Sequence, residues 1–242
     1  MRVALIPLRT HTKEPERNME HFIHVVADLT SRVSIDLICL PECTFTGYLY
    51  EHDDLLHFAE SVPGPTTAAL ARLAKQIHAH ICFGLIESAG ADIFNTAVML
   101  NSQGEIAAIQ RKISEKPPYT PGERVEIAEM DFGNVAMLIC GDLFSETAIS
   151  QIPDAAQLLL TPMARGFDTR SPDPHRWRSE ERLFYQLQVK KIGLPTLIVN
   201  ALDVGVEEGA FGGAMILSSA GALLAESPHG QDASLVYEMR LE

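Results

Sequence analysis

The stretch MLICGDLFSE, residues 137–146, places a cysteine between an apolar run and a Gly-Asp turn. VAMLIC predicts a buried strand, and GDLFSE predicts a turn that opens a helix with Asp142 or Ser145 as its N-cap. A thiol at this junction lies at the C-terminal end of a strand, where open α/β sheets place their active sites. Most free cysteines only pack as small apolar residues, so Cys140 is a candidate nucleophile only if other residues supply a base and an oxyanion donor.

Two other segments carry ionisable residues at predicted strand ends. Glu42 follows the run LICLP, and Lys112 ends the run EIAAIQRK, with Glu115 three residues later in a proline-rich loop. Taken singly, Glu42 is explained as a surface carboxylate and Lys112 as a charge on the rim. Together with Cys140 they supply a base and a fixed cationic donor, the two groups that a thiol nucleophile needs. We expect burial of the group to shift the pKa of each member, with Lys112 held charged between carboxylates and helping the thiolate of Cys140 to form.

The composition narrows the class of protein. The chain has 242 residues, of which 46% are hydrophobic, and a formal net charge of −13. This charge argues against a nucleic-acid partner and against an anionic membrane. Apolar runs are too short to cross a bilayer, and the N-terminal MRVALIPLRT is too short for a signal peptide. We therefore expect a cytoplasmic protein with reduced thiols.

A metal or nucleotide cofactor is not expected. Cys39 and Cys43 are separated by Pro41 in an extended segment, so they need not face one point, and the nine histidines are dispersed. The FGG at 211–213 lacks a Walker lysine and a dinucleotide-binding pattern. Cys39, Cys43 and Cys82 are predicted to be core thiols.

Apolar patterns alternate between strand and helix along the chain. They predict one layered α/β domain over 1–242 with helices outside, since no linker or repeat divides the sequence. Helices are predicted at 14–33, from PGPTT to about 79, around 145–152 and at 177–192. Strands are predicted at 2–8, 36–42, ICFGLIE, NTAVMLNSQG, EIAAIQRK, VAMLIC, AQLLLTP, PTLIVNAL, the hairpin GGAMILSSAGALLAES and SLVYEMRL.

The order of these motifs resembles the nitrilase superfamily of carbon-nitrogen hydrolases. PECTFTGY is similar to the motif of its general base, which falls on Glu42, and FNTAVML to the strand before its lysine motif. QRKIS is similar to the lysine motif at Lys112, and EKPPYTPGE to the loop of a second glutamate at Glu115. LICGD is similar to the nucleophile motif at Cys140, and the C-terminal hairpin also matches, so the resemblance runs from about residue 2 to 238.

The resemblance implies a four-layer αββα sandwich that pairs into a homodimer or larger homo-oligomer. It also implies a mechanism in which the cysteine attacks the carbon of a C–N bond, ammonia or an amine departs, and water releases an acid from a thioester. The lysine and the backbone amide after the cysteine, here that of Gly141, hold the oxyanion. No cofactor is implied.

Several positions depart from the family pattern. A large residue usually follows the cysteine, and an arginine stands four positions on, where this chain has Gly141 and Phe144. The loop between the lysine and the second glutamate is shorter than usual. The helix EERLFYQLQ keeps Arg182 but has Tyr185 and Gln186 where Glu-Asn is usual. These departures concern residues that would determine specificity. The catalytic triad that the resemblance implies, Glu42, Lys112 and Cys140, is intact.

Further residues have two open interpretations each. Tyr48 follows Gly47 in the loop after Glu42, where it is either a wall of the pocket or a packing residue. Arg165, in TPMARGFD after a strand end, is either a clamp for a substrate carboxylate or a surface arginine. Trp177 and Tyr185 are predicted to be core or interface residues.

The leading hypothesis is a thiol hydrolase acting on a small linear amide or carbamoyl compound, with a mild preference for substrates that carry a distal carboxylate. The alternatives are a nitrilase acting on a C≡N substrate and a non-catalytic binding or regulatory protein on the same scaffold. The expected partners are a small amide-type substrate and further copies of the chain.

Overall fold

The computed structural model describes residues 1–166, 173–204 and 209–241, and these form two six-stranded sheets and a short two-stranded one. The strands are β1 (Arg2–Leu5), β2 (Arg9–His11), β3 (Leu37–Cys39), β4 (His80–Ala89), β5 (Asp92–Leu100), β6 (Ile106–Arg111), β7 (Ile127–Met130), β8 (Gly133–Met137), β9 (Leu158–Met163), β10 (Thr196–Asn200), β11 (Leu202–Val204), β12 (Ala214–Leu217), β13 (Leu223–Glu226) and β14 (Leu235–Glu238). The helices are α1 (Pro15–Arg32), α2 (His52–Phe58), α3 (Pro65–Ile77), α4 (Glu146–Ile149), α5 (Pro174–Arg176) and α6 (Arg182–Ile192), with a 3₁₀ turn at Cys140–Phe144 and a π turn at Trp177–Glu181.

The two large sheets pack face to face. The first has the strand order β14-β1-β3-β4-β5-β6 and the second β13-β12-β10-β9-β8-β7. Apolar side chains from both fill the space between them, among them Leu5 and Met99 from the first sheet and Met137 and Leu160 from the second. This is the contact expected of strands whose side chains alternate between two faces.

Helices cover the outer face of each sheet. Phe22 of α1 and Leu70 of α3 pack on the first sheet, and Ala148 of α4 and Val189 of α6 pack on the second. The layers therefore run helix, sheet, sheet, helix, and the predicted four-layer αββα sandwich is confirmed.

Strand direction brings the chemistry-bearing segments to one place. β3 pairs parallel with β4, and β6 also runs parallel to β4 because β5 is antiparallel to both. The carboxyl ends of β3 and β6 thus meet at one edge, which places Glu42 and Lys112 together. In the second sheet β8 and β9 are parallel, so Cys140 and Ala164 follow strands that end at the same edge.

The predicted elements are found, with shifted boundaries and some omissions. The strand predicted through Cys140 ends at Met137, and the short helix α4 is N-capped by Ser145, whose Oγ accepts from the Ala148 N–H, so Asp142 is not its N-cap. The helix predicted to begin at 177 begins at Pro174 and passes through the π turn before α6. Elements α2, β2, β7 and β11 were not predicted.

Candidate active site

Glu42, Lys112 and Glu115 form one buried cluster. Lys112 Nζ lies 2.9 Å from Glu42 Oε1 and 3.1 Å from Glu115 Oε2. The side chain of Glu42 is 1% exposed, that of Lys112 9% and that of Glu115 5%. Charged groups this buried are retained only when they are paired and hydrogen-bonded, which these are.

Asn95, in the interior of β5, joins the same cluster and was not predicted. Its Nδ2 donates to Glu42 Oε1 at 2.6 Å and to Glu115 Oε2 at 2.8 Å, and its carbonyl accepts from the Lys112 N–H at 2.9 Å. The signal was present in the sequence as a polar residue inside the apolar run FNTAVML, since a buried amide needs partners.

Cys140 stands at the end of the second sheet with an unusual backbone. Its φ of 49° lies in the left-handed region, which a non-glycine residue occupies at a cost. The following residue has to fit tightly, because a Cβ on Gly141 would lie 3.2 Å from Ser114 Oγ and 3.9 Å from Lys112 Cε. Gly141 therefore lies beside the Lys112 side chain, and its amide as an oxyanion donor stays a prediction.

Asp142 holds this turn against the loop that follows Lys112. Its fully buried carboxylate accepts the N–H groups of Ser114 at 2.7 Å, Ile113 at 3.1 Å and Ile139 at 3.4 Å. The residue was considered as a helix N-cap in the sequence, but its partners lie mainly 28 and 29 residues away. It fixes the position of Cys140 relative to Lys112.

Glu42 and the backbone N–H of Ala164 act on the Cys140 thiol in opposite senses, because the carboxylate raises the pKa of the thiol and the N–H lowers it. That N–H also donates to Glu42 Oε2 at 2.9 Å. The loop carrying Ala164 is fixed in turn by the buried Asn200, whose Oδ1 accepts from the Arg165 N–H at 2.7 Å. The two sheets thus contribute a thiol from one side and a carboxylate from the other.

The charges of the cluster shift the pKa values of both Lys112 and Cys140. Burial by itself lowers the pKa of Lys112, but the charges of Glu42 and Glu115 outweigh it and hold that pKa above its usual range. Burial, with a further contribution from the charge of Glu42, raises the pKa of Cys140 to about 12, and Lys112 lowers this pKa by less than Glu42 raises it. Lys112 thus acts in favour of the thiolate, as predicted, but burial and the charge of Glu42 outweigh it and hold the pKa of Cys140 above its usual range.

The pKa of Glu115 is shifted in the opposite direction to that of Cys140. Burial acts to raise the pKa of Glu115, but the charge of Lys112 and the hydrogen bond from Asn95 lower it below its usual value. Tyr48 Oη donates to Glu115 Oε1 at 3.0 Å, and Lys112 Nζ lies 5.3 Å from the centre of the Tyr48 ring. The structure therefore places Tyr48 against the cluster.

Arg165 follows β9 but is engaged by protein. Its Nη2 lies 3.6 Å from Glu181 Oε2, and Arg176 Nη2 donates to the other oxygen of the same carboxylate at 3.1 Å. The Arg165 side chain is 37% exposed, so a substrate can still reach it. Its role as a clamp stays a prediction.

The remaining candidates lie in the core. Trp177 and Tyr185 are 7% and 1% exposed and pack in the layer between the second sheet and its helices, as predicted. Cys39, Cys43 and Cys82 are buried free thiols, also as predicted. Within the described ranges, no group of three or more His, Cys, Asp or Glu is placed to hold a metal. In the same part of the chain, no helix combines the length and apolarity needed to span a membrane.

Comparison with known proteins decides the family. A family model described as carbon-nitrogen hydrolase matches residues 2–242. The chain belongs to the carbon-nitrogen hydrolase family. This confirms the resemblance to the nitrilase superfamily and the prediction of a carbon-nitrogen hydrolase.

Relatives of this carbon-nitrogen hydrolase are distant in sequence. A chloroplastic omega-amidase of Arabidopsis thaliana is 27% identical over 94% of the chain, which spans 64% of that protein's length. The solved carbon-nitrogen hydrolase of Helicobacter pylori G27 superposes with a TM-score of 0.83 at 20% identity, covering 98% of this chain and 87% of the other. The amidase of Nesterenkonia sp. AN1, solved with butyramide, gives 0.79 at 20% identity over 99% and 90%. These structures support the fold.

Proposed function

We propose that this carbon-nitrogen hydrolase cleaves the C–N bond of a small linear amide or carbamoyl compound through a thioester on Cys140. One observation carries the proposal. The buried Glu42 carboxylate accepts from Lys112 Nζ at 2.9 Å and lies close enough to the Cys140 thiol to raise its pKa. A base, a nucleophile and a cation meet there with no intervening residue.

The first half of the reaction uses the resting thiol. Glu42 takes the thiol proton while Cys140 Sγ bonds to the substrate carbonyl carbon, because a neutral thiol needs a general base to attack. The carbonyl oxygen becomes an oxyanion held by Lys112 Nζ and the Gly141 N–H. Glu42 then gives its proton to the leaving nitrogen, the C–N bond breaks, and ammonia or an amine departs from the thioester.

The second half regenerates the enzyme. Glu42 takes a proton from water, whose oxygen bonds to the thioester carbon and forms a second oxyanion at the same donors. The intermediate collapses by breaking the C–S bond, and Cys140 recovers its proton from Glu42. Glu115 stays ionised beside Lys112 and keeps the ammonium in place during both halves.

Amides are favoured over nitriles by the relatives. An omega-amidase matches 94% of the chain, and an amidase of similar fold was solved with butyramide. A nitrilase from Pyrococcus abyssi is 28% identical over 67% of the chain, so nitriles remain the second candidate substrates. Within the amides, a mild preference for a distal carboxylate remains part of the proposal, with the partly exposed Arg165 as the group that would bind it.

The test is ammonia release from a panel of linear amides, carbamoyl compounds and nitriles. Glu42→Gln should abolish turnover with the fold retained, because the carboxamide is nearly isosteric but cannot take the proton. The matched control is Glu129→Gln, on the exposed face of β7, which should leave the rate unchanged. Less than tenfold loss in Glu42→Gln would remove this residue as the base, since such roles are worth about 10²–10⁴-fold.

A non-catalytic scaffold is the remaining alternative from another class. It predicts that wild-type protein releases no ammonia from any member of the panel and yet binds a ligand in thermal-shift measurements. Assembly into a homodimer or larger homo-oligomer also stays a proposal, and sedimentation velocity of the purified chain tests it directly.

A further inference from the structure

The side chains of Glu42, Asn95, Lys112 and Glu115 form a closed ring of polar contacts. Glu42 Oε1 accepts from Asn95 Nδ2 at 2.6 Å and from Lys112 Nζ at 2.9 Å. Glu115 Oε2 accepts from the same two donors, at 2.8 Å and 3.1 Å. Asn95 is 1% exposed, so this ring is inside the protein. Asn95 and Lys112 therefore bridge one and the same pair of carboxylate oxygens.

The orientation of the Asn95 amide follows from its surroundings. Turning Oδ1 toward the carboxylates would set lone pairs against two negative charges, whereas the NH₂ group satisfies both with its two protons. On the other side the Cys43 thiol donates to Oδ1 at 3.8 Å. The pKa of Cys43 is raised by burial, which keeps its proton available for this contact. The amide is held from both ends.

The ring leaves Glu42 with one oxygen for chemistry. Oε1 is occupied by two donors inside the ring, and Oε2 faces the other way, toward the Ala164 N–H at 2.9 Å. That same N–H lies close enough to the Cys140 thiol to lower its pKa. Oε2 is thus on the nucleophile's side of the carboxylate.

We propose that Asn95 is a positioning residue that ties Glu42 Oε1 to Glu115 and so presents Oε2 as the oxygen that takes the Cys140 proton. The inference rests on the proposed function of Glu42 as the general base. Asn95 adds two donors without adding charge, which lets two carboxylates share one ammonium in a buried site. Its backbone carbonyl also accepts from the Lys112 N–H, so one residue positions both partners of the nucleophile.

The decisive variant is Asn95→Asp, which keeps the shape, removes both donors and adds a third negative charge. A third carboxylate makes ionisation of the existing pair harder, so the acid limb of the Cys140 alkylation rate should move to higher pH by about one unit. The titratable groups that face the pair are Lys112, Cys140, Cys43, Tyr48, Tyr50, Tyr119 and Asp203.

The assay is the rate of Cys140 alkylation by iodoacetamide between pH 4 and 9, followed by peptide mapping. It needs no substrate, so it stands even if no amide is hydrolysed and the proposed function fails. The matched control is Asn101→Asp, in the turn after β5, whose Oδ1 already accepts the Gln103 and Glu105 N–H groups. This control should keep the wild-type profile.

Once the panel identifies an amide that the enzyme hydrolyses, kinetics on that substrate give a second readout. Asn95→Asp should lower kcat by about 10²-fold and change KM by less than about threefold, because only the base is misplaced. If Asn95→Asp does not fold, Cys43→Ala and Cys43→Ser replace it. The serine keeps a donor to Oδ1, so it should retain more alkylation rate than the alanine. An unmoved acid limb, or equal rates in the two Cys43 variants, overturns the proposal.

Discussion

Glu115→Gln tests whether the second carboxylate of the cluster positions Lys112. The wild-type carboxylate accepts four hydrogen bonds, from Lys112 Nζ and Asn95 Nδ2 on Oε2 and from Tyr48 Oη and the Lys116 N–H on Oε1. A carboxamide can accept only at its single oxygen, because its other terminal atom is an NH₂ donor. With its oxygen toward Lys112, its NH₂ group faces the other two donors.

The cost can be worked out from these partners. The Tyr48 hydroxyl can rotate and accept, but the Lys116 N–H cannot, so one hydrogen bond to a charged group is lost, worth about 1.5–3 kcal/mol. Lys116 is exposed, so water takes part of this role, and neutralising one of two neighbouring carboxylates removes some repulsion. We therefore expect the free energy of unfolding at pH 7 to fall by about 1–2 kcal/mol.

Activity should fall further than stability. Lys112 keeps one counter-charge and loses its second anchor, so the oxyanion donor is misplaced, with kcat lower by about 10²-fold and KM changed by less than about threefold. Ammonia release measures the rate, and urea unfolding measures stability. A loss of kcat below tenfold would show that Glu115 does not position Lys112. Glu146→Gln, at an exposed glutamate paired with Lys191, is the matched control.

The sign of the pH dependence provides a second check. The pKa of Glu115 is lowered in the folded protein, so its contribution to stability is fully present above the unfolded value of about 4.3 and is lost as pH falls through the folded value. The difference in unfolding free energy between wild type and Glu115→Gln should therefore shrink on acidification from pH 7 to below pH 4. A difference that stays constant over this range would contradict the assigned shift.

Two further predictions concern Cys140 and Arg165. In the folded protein iodoacetamide should modify Cys140 before the other three cysteines, because those are at most 2% exposed and Cys140 is partly exposed; peptide mapping that finds it slowest removes the mechanism. Arg165→Ala should raise KM for amides with a distal carboxylate and spare neutral amides of equal length, as read from initial rates. Equal loss on both would instead assign the arginine to its ion pair with Glu181.

The residues at strand ends were predictable from the sequence. Glu42, Lys112 and Cys140 each follow an apolar run, and parallel strands bring their carboxyl ends to a common edge. The layered fold followed from the same runs, because strands buried on both faces need helices outside. The short elements β2 and β11 were missed because they are stabilised by each other, with Leu202 paired to Arg9 far away in the chain.

Asn95 and Asp142 show where prediction from pattern ends. Asn95 lies inside a strand, so strand-end reasoning passes over it, although a buried amide in an apolar run already implies partners. Asp142 looked like a local cap, and its acceptors are used by a loop 28 and 29 residues earlier. Local pattern specifies which residues are polar and buried, but only the folded chain specifies which donors reach each oxygen.

The protonation state of Cys140 likewise depends on which groups surround it in the folded chain. A lysine near a cysteine favours the thiolate when the lysine is the nearest uncompensated charge. Here Lys112 already lies within 3.1 Å of two carboxylates, and the charge of Glu42 raises the pKa of Cys140 by more than Lys112 lowers it, which favours the thiol. A site with these three residue types but one carboxylate would favour the opposite state. The number of carboxylates around the lysine, and the neutral donor that lets them coexist, therefore determine whether the nucleophile is activated at rest or only during attack.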